Sequence, residues 1–254
     1  MDTSAERQSA FRNHLKQNEF LSVPGACQLA QASPATIRRD FTALVAAGHA
    51  QRHRGGVQRI AQDSLAMVPF AERQMTMPAE KARIAAAAAA LIHPGDVVFV
   101  DGGTSTLHLA EHLAAMSIRI ITNSLRLAVV IGERNGPAEV HLSGGALLPR
   151  SGLLVGPQAR AGLGRFHATW AFLSVSGLDA TGIWNTDEFV AEVEQTMIAN
   201  AQKTVVLADH TKLGKRALLH VAGLDRLDHL VTDHGADAHL LATLTATGLR
   251  VLPA

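Results

Sequence analysis

The stretch of residues 96–112, DVVFVDGGTSTLHLAEH, constrains the fold more than any other part of the chain. A β-branched and aromatic run, Val97–Val100, is followed by a double glycine and then by hydroxyl side chains that open an apolar helical pattern. Such a run is typical of a parallel strand covered on both faces. The stretch therefore predicts a strand, a tight turn and a helix within a parallel α/β sheet.

The turn that follows this strand, Asp101–Thr106, is a candidate anion site. Gly102 and Gly103 allow the backbone to turn tightly and to approach a ligand closely. The residues after them place hydroxyls and free amides at the start of a helix, where N–H groups and the helix dipole favour a phosphate. An ordinary strand-to-helix turn with Thr104 as its cap is the alternative interpretation.

Composition indicates a globular protein of two domains. The chain has 254 residues, 47% of them apolar and 18% charged, which supports a sizeable core and excludes a disordered polymer. It contains no apolar run of 18 residues without a charge or turn signal, and residues 1–16 lack the apolar segment of a signal peptide. Cys27 is the only cysteine, which excludes an intrachain disulfide. We therefore expect a cytoplasmic protein with no membrane partner, no metal and no cofactor.

The charge of the chain is divided unevenly along its length. Residues 1–60 hold eight Lys and Arg against four Asp and Glu, a balance of +4, whereas the remainder holds 15 against 18, a balance of −3. This segregation favours a polyanion partner for the first 60 residues, and a solvated basic face is the alternative.

The first 60 residues show the pattern of a winged helix-turn-helix DNA-binding domain. Helices are expected over three ranges: 5–17, 24–32 and 34–47. Ser33 at the N-cap and Pro34 at the first helical position form a strong start signal for the third helix, and Gly48 supplies its C-cap. Ile37 and Phe41 lie on the apolar face of this helix, which can pack on the two earlier helices.

The polar face of the third helix carries Arg38 and Arg39 near its N-terminus, where a recognition helix presents side chains to the major groove. Residues 49–52 and 57–60 are expected to pair around a basic turn, forming a wing that reaches a phosphate backbone or the minor groove. A solvated surface position is the alternative for each arginine taken singly. The candidate DNA-binding residues are Ser33, Thr36, Arg38, Arg39, Arg52, His53, Arg54 and Gly55.

Residues 33–57, SPATIRRDFTALVAAGHAQRHRGGV, resemble the recognition helix and wing of the DeoR family of bacterial transcriptional regulators. The motifs EKARIA, DGGTST, TNS, LSGG, SGLD and ADHTK extend the resemblance from about residue 5 to residue 235. In that family a C-terminal domain senses a phosphorylated sugar or related metabolite. The resemblance implies a repressor of a carbohydrate-metabolism operon, a homo-oligomer that binds double-stranded operator DNA and responds to a phosphorylated sugar or polyol.

The remainder of the chain is expected to form a linker, 61–78, and an effector-sensing domain, 79–254. Strands alternate with helices there, which predicts a doubly wound, mainly parallel sheet with polar loops at the carboxyl ends of its strands. Ligands bind at that edge in such sheets. Turn chemistry is the alternative for each polar loop residue. The candidate effector-binding residues are Asp101, Gly102, Gly103, Thr104, Ser105, Thr106, Asn123, Ser124, Gly144, Gly145, Gly177, Asp179, Asp187 and Lys212.

Lys212 follows the strand-end residue Asp209, and a cation there would complete the charge of a phosphate held by residues 102–106. A solvated lysine is the alternative. The domain also looks similar to ribose-5-phosphate isomerase and glucosamine-6-phosphate deaminase, in which Asp179 would resemble a catalytic acid. A sugar-phosphate isomerase or deaminase with Asp101 or Asp179 as base is therefore the competing hypothesis. Because no catalytic pair can be assembled from the candidate acids, we expect no catalytic residues and favour a regulator.

Overall fold

The computed structural model describes residues 3–18, 20–46, 50–53, 55–58 and 69–254. The chain divides into two compact units, Met1–Ala66 and Met67–Ala254. The second unit begins inside the segment 61–78 that the sequence predicts as a linker. None of the helices in the described ranges has the length and apolar character needed to cross a bilayer.

The described part of the first unit contains a bundle of helices and a small antiparallel sheet. Its helices and strands are Ser4–Gln17 (α1), Phe20–Ser22 (β1), Val23–Ala30 (α2), Pro34–Ala46 (α3), Gln51–His53 (β2) and Gly56–Gln58 (β3). The strands pair in the order β1-β3-β2. The β2–β3 hairpin was predicted and the addition of β1 was not. Phe11 of α1 and Phe41 of α3 are fully buried and meet edge to face, with ring centroids 5.6 Å apart.

The helices of the second unit are Phe70–Gln74 (α4), Pro78–Ala89 (α5), Thr104–Leu107 (α6), Ala110–Leu113 (α7), Leu125–Glu133 (α8), Pro157–Leu163 (α9), Glu188–Ala199 (α10) and Ala238–Ala246 (α11). Its strands are Val97–Val100 (β4), Arg119–Thr122 (β5), Glu139–Leu142 (β6), Ala146–Leu148 (β7), Leu153–Val155 (β8), Ala168–Ser174 (β9), Gly177–Asp179 (β10), Gly182–Asn185 (β11), Ala201–Leu207 (β12), Leu219–Ala222 (β13), His229–Thr232 (β14) and Arg250–Pro253 (β15). Short 3₁₀ helices lie at His210–Lys212 and Leu224–Arg226.

Within residues 69–254, one parallel sheet has the strand order β15-β14-β12-β9-β4-β5-β6. Strand β4 lies inside it, between β9 and β5. Its side chains alternate between two cores: Val98 and Val100 pack with α5 and α7, whereas Phe99 packs with α9 and α10. The burial of both faces explains why these strands read as continuous apolar runs. The predicted α/β fold with a mainly parallel sheet is confirmed.

The helix after β4 differs from its prediction because it is interrupted. Helix α6 ends at Leu107, where Leu109 N donates to Thr106 O three residues earlier, and α7 begins at Ala110. The N-cap of α6 is Gly103, which makes no side-chain capping bond, so Thr104 does not cap this helix as the alternative interpretation expected. A helix of one turn contributes little macrodipole, so an anion here must rely on local N–H and hydroxyl groups.

Candidate functional site

Helix α3 of the first unit begins as the sequence predicts. Ser33 Oγ accepts a hydrogen bond from Thr36 N at 3.3 Å and lies 3.0 Å from Thr36 Oγ1, so the serine satisfies a free amide at the helix start. Arg38 and Arg39 are exposed, and Thr36 is half-buried. The N-terminal half of α3 therefore presents both guanidinium groups to solvent.

A buried carboxylate joins α3 to α1. Asp40 is 4% exposed and accepts hydrogen bonds from Arg7 Nε at 2.7 Å and from Ser4 Oγ at 2.5 Å. Burial alone would raise the pKa of Asp40, but these hydrogen bonds hold that pKa below its ordinary value. This pair was not predicted from the sequence. Asp40 lies between Ile37 and Leu44 in the apolar stripe of α3, and an acid in such a stripe predicts a buried partner.

The predicted wing forms from β2 and β3, which pair antiparallel. Gly55 at their turn has φ +83°, in the left-handed region that favours glycine. Arg52 and His53 are exposed, and the His53 ring packs edge-on against Phe20 of β1 with centroids 5.5 Å apart. The predicted contact Arg54 lies outside the described residues.

In the second unit, the carboxylate of Asp101 organises the GGTST loop, residues Gly102–Thr106. Asp101 is 4% exposed. Its Oδ1 accepts from Thr106 Oγ1 at 2.5 Å and from Gly103 N at 3.2 Å, and its Oδ2 accepts from Ser174 N at 2.9 Å and Ser174 Oγ at 3.1 Å. Burial raises the pKa of Asp101 above its ordinary value, and these hydrogen bonds offset part of the rise. Asp101 therefore positions the loop and joins it to the end of β9.

The glycines of the loop are required by close packing. A Cβ on Gly102 would lie 1.9 Å from Leu153 Cδ2 and 2.9 Å from Ser124 Cβ. A Cβ on Gly103 would lie 1.4 Å from Ser174 Oγ, although Gly103 has an ordinary φ of −78°. The close approach expected toward a ligand is thus an approach to the protein's own side chains, and it holds the loop against the ends of β5 and β9.

Hydroxyl and amide groups gather beside this loop at the carboxyl edge, by which we mean the C-terminal ends of β4, β5, β9 and β12. Thr104 and Ser105 are 6% and 5% exposed, and their hydroxyls make no hydrogen bond within the described residues. Ser124 Oγ accepts from Leu127 N at 3.2 Å and caps α8. Asn123 Nδ2 donates to Leu154 O at 3.3 Å, while its buried Oδ1 has no partner within the described ranges. Unpaired buried acceptors of this kind are suited to ligand hydroxyls.

Lys212 supplies a cation at this edge. It is half-buried at the end of the 3₁₀ helix that follows β12. Burial lowers the pKa of Lys212. The charge of Asp209 counteracts this lowering, and the charge of Arg73 lowers the pKa further. Asp209 is 1% exposed; its Oδ1 accepts from Thr211, and its Oδ2 is buried without a partner in the part of the chain described.

Further positive charge near Lys212 comes from Lys81 and Arg73, neither of which was predicted from the sequence. Lys81 is only 2% exposed, and its Nζ donates to Arg73 O at 2.5 Å and to Thr76 O at 2.6 Å. Burial lowers its pKa, the Asp209 charge raises it, and the Lys212 and Arg73 charges lower it again. Lys81 shares one helix face with Ile84, Ala85 and Ala88, and a lysine in that apolar stripe is the signal that would have identified it.

The carboxylates of Asp187 and Asp179 accept hydrogen bonds from neighbouring residues of the protein itself. Asp187 Oδ1 accepts from Val190 N at 3.1 Å and caps α10. Asp179 Oδ1 accepts from Thr181 N at 2.9 Å and Trp184 Nε1 at 3.1 Å, while its Oδ2 pairs with Arg216. Burial alone would raise the pKa of Asp179, but these hydrogen bonds hold it well below its ordinary range. The geometry gives both aspartates a structural role, and no hydrogen bond places them on the GGTST loop.

The remaining predicted glycines shape turns and close contacts. Gly144 and Gly145 have φ of +72° and +109° in the exposed turn after β6. A Cβ on Gly177 would lie 2.4 Å from Lys215 O. Close backbone packing or positive φ accounts for glycine at these positions without a ligand contact.

Two further observations limit the chemistry. A cavity of about 410 Å³ is lined by α10 and β13 residues, including Gln195, Ile198 and His220, and none of the candidate effector-binding residues lines it. In the residues that the structure describes, no group of three or more His, Cys, Asp or Glu side chains is placed to hold a metal ion.

Comparisons with known proteins cover both units. A family model described as the DeoR-like helix-turn-helix domain matches residues 7–63, and one described as the DeoR C terminal sensor domain matches residues 76–234. The HTH-type transcriptional regulator UlaR of Escherichia coli O1:K1 / APEC is 32% identical over 250 residues, covering 98% of this chain and 99% of the relative. UlaR of Shigella boydii serotype 18 (strain CDC 3083-94 / BS512) matches with the same identity and coverage.

Solved structures show weaker similarity. Ribose 5-phosphate isomerase A from Methanocaldococcus jannaschii has a TM-score of 0.39 and 17% identity, with 52% of this chain and 53% of that chain covered. Translation initiation factor eIF-2B from Pyrococcus horikoshii OT3 has a TM-score of 0.41 and 19% identity, with 56% and 50% covered. The match spans about half the length of each, and similarity at these scores supports no inference about activity.

Family membership therefore rests on the sequence matches. The sensor-domain model alone spans more than half of the chain, and the UlaR relatives match nearly all of it. The helix-turn-helix with its wing, in the first unit, agrees with the match to residues 7–63. The chain belongs to the DeoR family of helix-turn-helix transcriptional regulators.

Proposed function

We propose that this regulator represses a carbohydrate-metabolism operon in the cytoplasm and that a phosphorylated sugar or polyol, bound at the carboxyl edge of the second unit, controls its affinity for operator DNA. The chain itself carries no catalytic activity in this proposal. The observation that carries it is the placement of Lys212 and the GGTST loop at one edge of a parallel sheet, where a cation and free hydroxyls complement a phosphate monoester.

The polar atoms near the loop support a ligand that carries hydroxyls as well as phosphate. Asn123 Oδ1 and Asp209 Oδ2 are buried acceptors without partners in the described residues. A sugar or polyol hydroxyl would satisfy such an acceptor, and a bare anion would not. We therefore assign the phosphate to the GGTST loop and Lys212, and the carbon chain to Asn123 and Asp209.

DNA recognition in this proposal uses the exposed face of α3. Arg38 and Arg39 enter a major groove, while Arg52 and Gly55 of the wing reach the adjacent backbone. A homodimer or higher oligomer would place paired α3 helices on operator half-sites.

The test uses two measurements on the full chain. Fluorescence anisotropy on the DNA upstream of its own coding region reports operator binding, and a thermal-shift screen of phosphorylated sugars and polyols reports effector binding, because a ligand that binds the folded state raises the melting temperature. Each phosphorylated compound is paired with its unphosphorylated form as control. We expect a phosphorylated compound to raise the melting temperature and to weaken operator binding.

The variant carrying Thr104→Ala and Lys212→Ala should bind the operator as the wild type does and lose the effector response. Lys203→Ala removes an equal charge at the opposite end of β12 and should change neither property. Loss of operator binding and effector response together in the first variant would contradict separate sites. Turnover of pooled sugar phosphates without operator binding would favour the isomerase or deaminase hypothesis instead.

A further inference from the structure

Helix α4 lies beside the GGTST loop, because residues 104–106 of that loop belong to α6. It packs against α6, and its Phe70 is 3% exposed. The Phe70 ring has the Arg126 guanidinium 4.7 Å from its centroid and the Arg73 guanidinium 5.6 Å from it. Arg126 Nε in turn donates to Ser151 O at 3.1 Å. The N-terminal part of α4 is thus anchored to the loops beside the carboxyl edge, and it packs against the helix that carries the nearly buried Thr104 and Ser105.

Lys81 anchors the other end of α4. Its ammonium group donates hydrogen bonds to the carbonyl oxygens of Arg73 and Thr76, at 2.5 Å and 2.6 Å, and not to a carboxylate of the described residues. A cation at a helix C-terminus satisfies carbonyls that lack intrahelical partners. A nearly fully buried lysine is costly, and this one is used to hold a short helix in one position.

Arg73 shares its electrostatic surroundings with the candidate phosphate site. The charge of Asp101 raises its pKa against the lowering effect of burial, and the charge of Arg73 lowers the pKa of both Lys81 and Lys212. These positive charges disfavour one another, and a bound dianion would offset that effect. Helix α4, which packs against α6, therefore contributes positive charge to the surroundings of Asp101 and Lys212.

We propose that Arg73 binds the same phosphate group as the GGTST loop and Lys212, so that the effector holds α4 closed over the loop. Within the described residues α4 is the first helix of the second unit, and only Pro69 separates it in sequence from residues 59–68, so its fixation would carry occupancy of the site toward the DNA-binding unit. The inference rests on the proposed effector site and adds a contact and a coupling element to it. Coupling of this kind requires that the ligand bind the closed state more tightly than the open one.

The experiment is hydrogen exchange of the full chain followed by mass spectrometry, with inorganic phosphate and ribose 5-phosphate as probes and chloride at equal ionic strength as control. In the wild type we expect phosphate to slow exchange both at residues 104–107 and at residues 70–76. In Arg73→Gln we expect roughly ten- to hundredfold weaker phosphate binding, because a charge-assisted hydrogen bond is lost. Protection at 104–107 should return at high phosphate, while protection at 70–76 should not.

The same variants are then measured for operator binding. Arg73→Gln should bind the operator with wild-type affinity in chloride, and phosphate should not change that affinity. Arg73→Lys should recover part of the phosphate binding and part of the operator response to phosphate. Arg83→Gln, on the exposed face of α5, should match the wild type. Unchanged phosphate affinity and unchanged protection at 70–76 in Arg73→Gln would overturn this inference and leave the site intact. A wild type that responds to neither probe at 104–107 would instead overturn the site, and with it the coupling.

Discussion

Arg7 of α1 and Asp40 of α3 form a buried ion pair: Nε donates to Oδ2 at 2.7 Å and Nη2 donates to Oδ1 at 3.3 Å. The side chains are 11% and 5% exposed. Such a paired fork-to-carboxylate contact fixes orientation as well as distance. The helix that carries Arg38 and Arg39 is thereby held at a defined angle to the N-terminal helix.

Replacing Asp40 with Asn should lower the melting temperature of the first unit at neutral pH, because Arg7 loses its charged partner. The folded pKa of Asp40 is lowered, so its contribution to stability is present above the unfolded pKa of about 4 and is lost as the pH falls through the folded pKa. Thermal unfolding at a series of pH values should show a weaker acid dependence in Asp40→Asn. Parallel pH curves for the variant and the wild type would argue against this role.

Arg39→Ala should weaken operator binding by about 1–3 kcal/mol if the side chain reads a base, and discrimination between operator and random DNA should fall with it. A phosphate contact would instead weaken both DNAs alike and reduce the salt-dependence slope by about one. Anisotropy titrations at several salt concentrations separate these outcomes. Arg165→Ala, at an exposed position after α9, is the matched control; equal affinity of all three proteins would remove Arg39 from the interface.

Gly103→Ala should destabilise the second unit by roughly 1–3 kcal/mol, since overpacking forces neighbouring groups apart. The new Cβ would lie 1.4 Å from Ser174 Oγ and 2.6 Å from Ser174 Cβ. Ser174→Gly removes both atoms, so the double variant should recover part of the loss in a urea-unfolding cycle. Additive effects of the two changes would show that the clash is relieved elsewhere.

If the effector binds as proposed, its affinity should fall as the pH rises, because the phosphate contact needs protonated Lys212. Burial lowers the pKa of Lys212 and Arg73 lowers it further, so the fall should begin below the pH at which an ordinary lysine titrates, about 10.4. Isothermal titration with a ligand from the screen would measure it. Because the arginine stays charged, Lys212→Arg should move the alkaline loss of effector affinity to higher pH. We expect any alkaline loss that remains in this variant to come from Lys81, whose pKa is also lowered. An unchanged alkaline limb in Lys212→Arg would assign the titration to another group.

Much of the parallel sheet could be predicted because its strands carry their own signal. The predicted strand Val97–Val100 has the bounds of β4 in the structure. Residues buried on both faces leave a continuous apolar run that needs no knowledge of the partner strand. The hairpin β10–β11 and strand β13 were missed, because segments of three or four residues are stabilised by pairing with distant partners.

The residues of the candidate site also fall into those that could be predicted from the sequence and those that could not. Loop residues at strand ends could be placed from the strand pattern alone, which located the GGTST loop, Asn123 and Lys212. Lys81 and Asp40 escaped because a charged residue on a helix is usually solvated, and only its position within the apolar stripe reveals the exception. Arg73 lies on a helix of five residues whose stability comes from Phe70 burial and Lys81, neither of which has a local sequence pattern.

The position of β4 between β5 and β9 also governs how the chain is made. Val98 pairs with Trp170, so the central strand gains its second neighbour only after more than 70 further residues have left the ribosome. The antiparallel strands of the first unit pair within residues 20–58 and close much shorter loops. During synthesis the helix-turn-helix unit should therefore fold well before the second unit, and each new molecule passes through an interval in which its DNA-binding fold is complete while the parallel sheet is not.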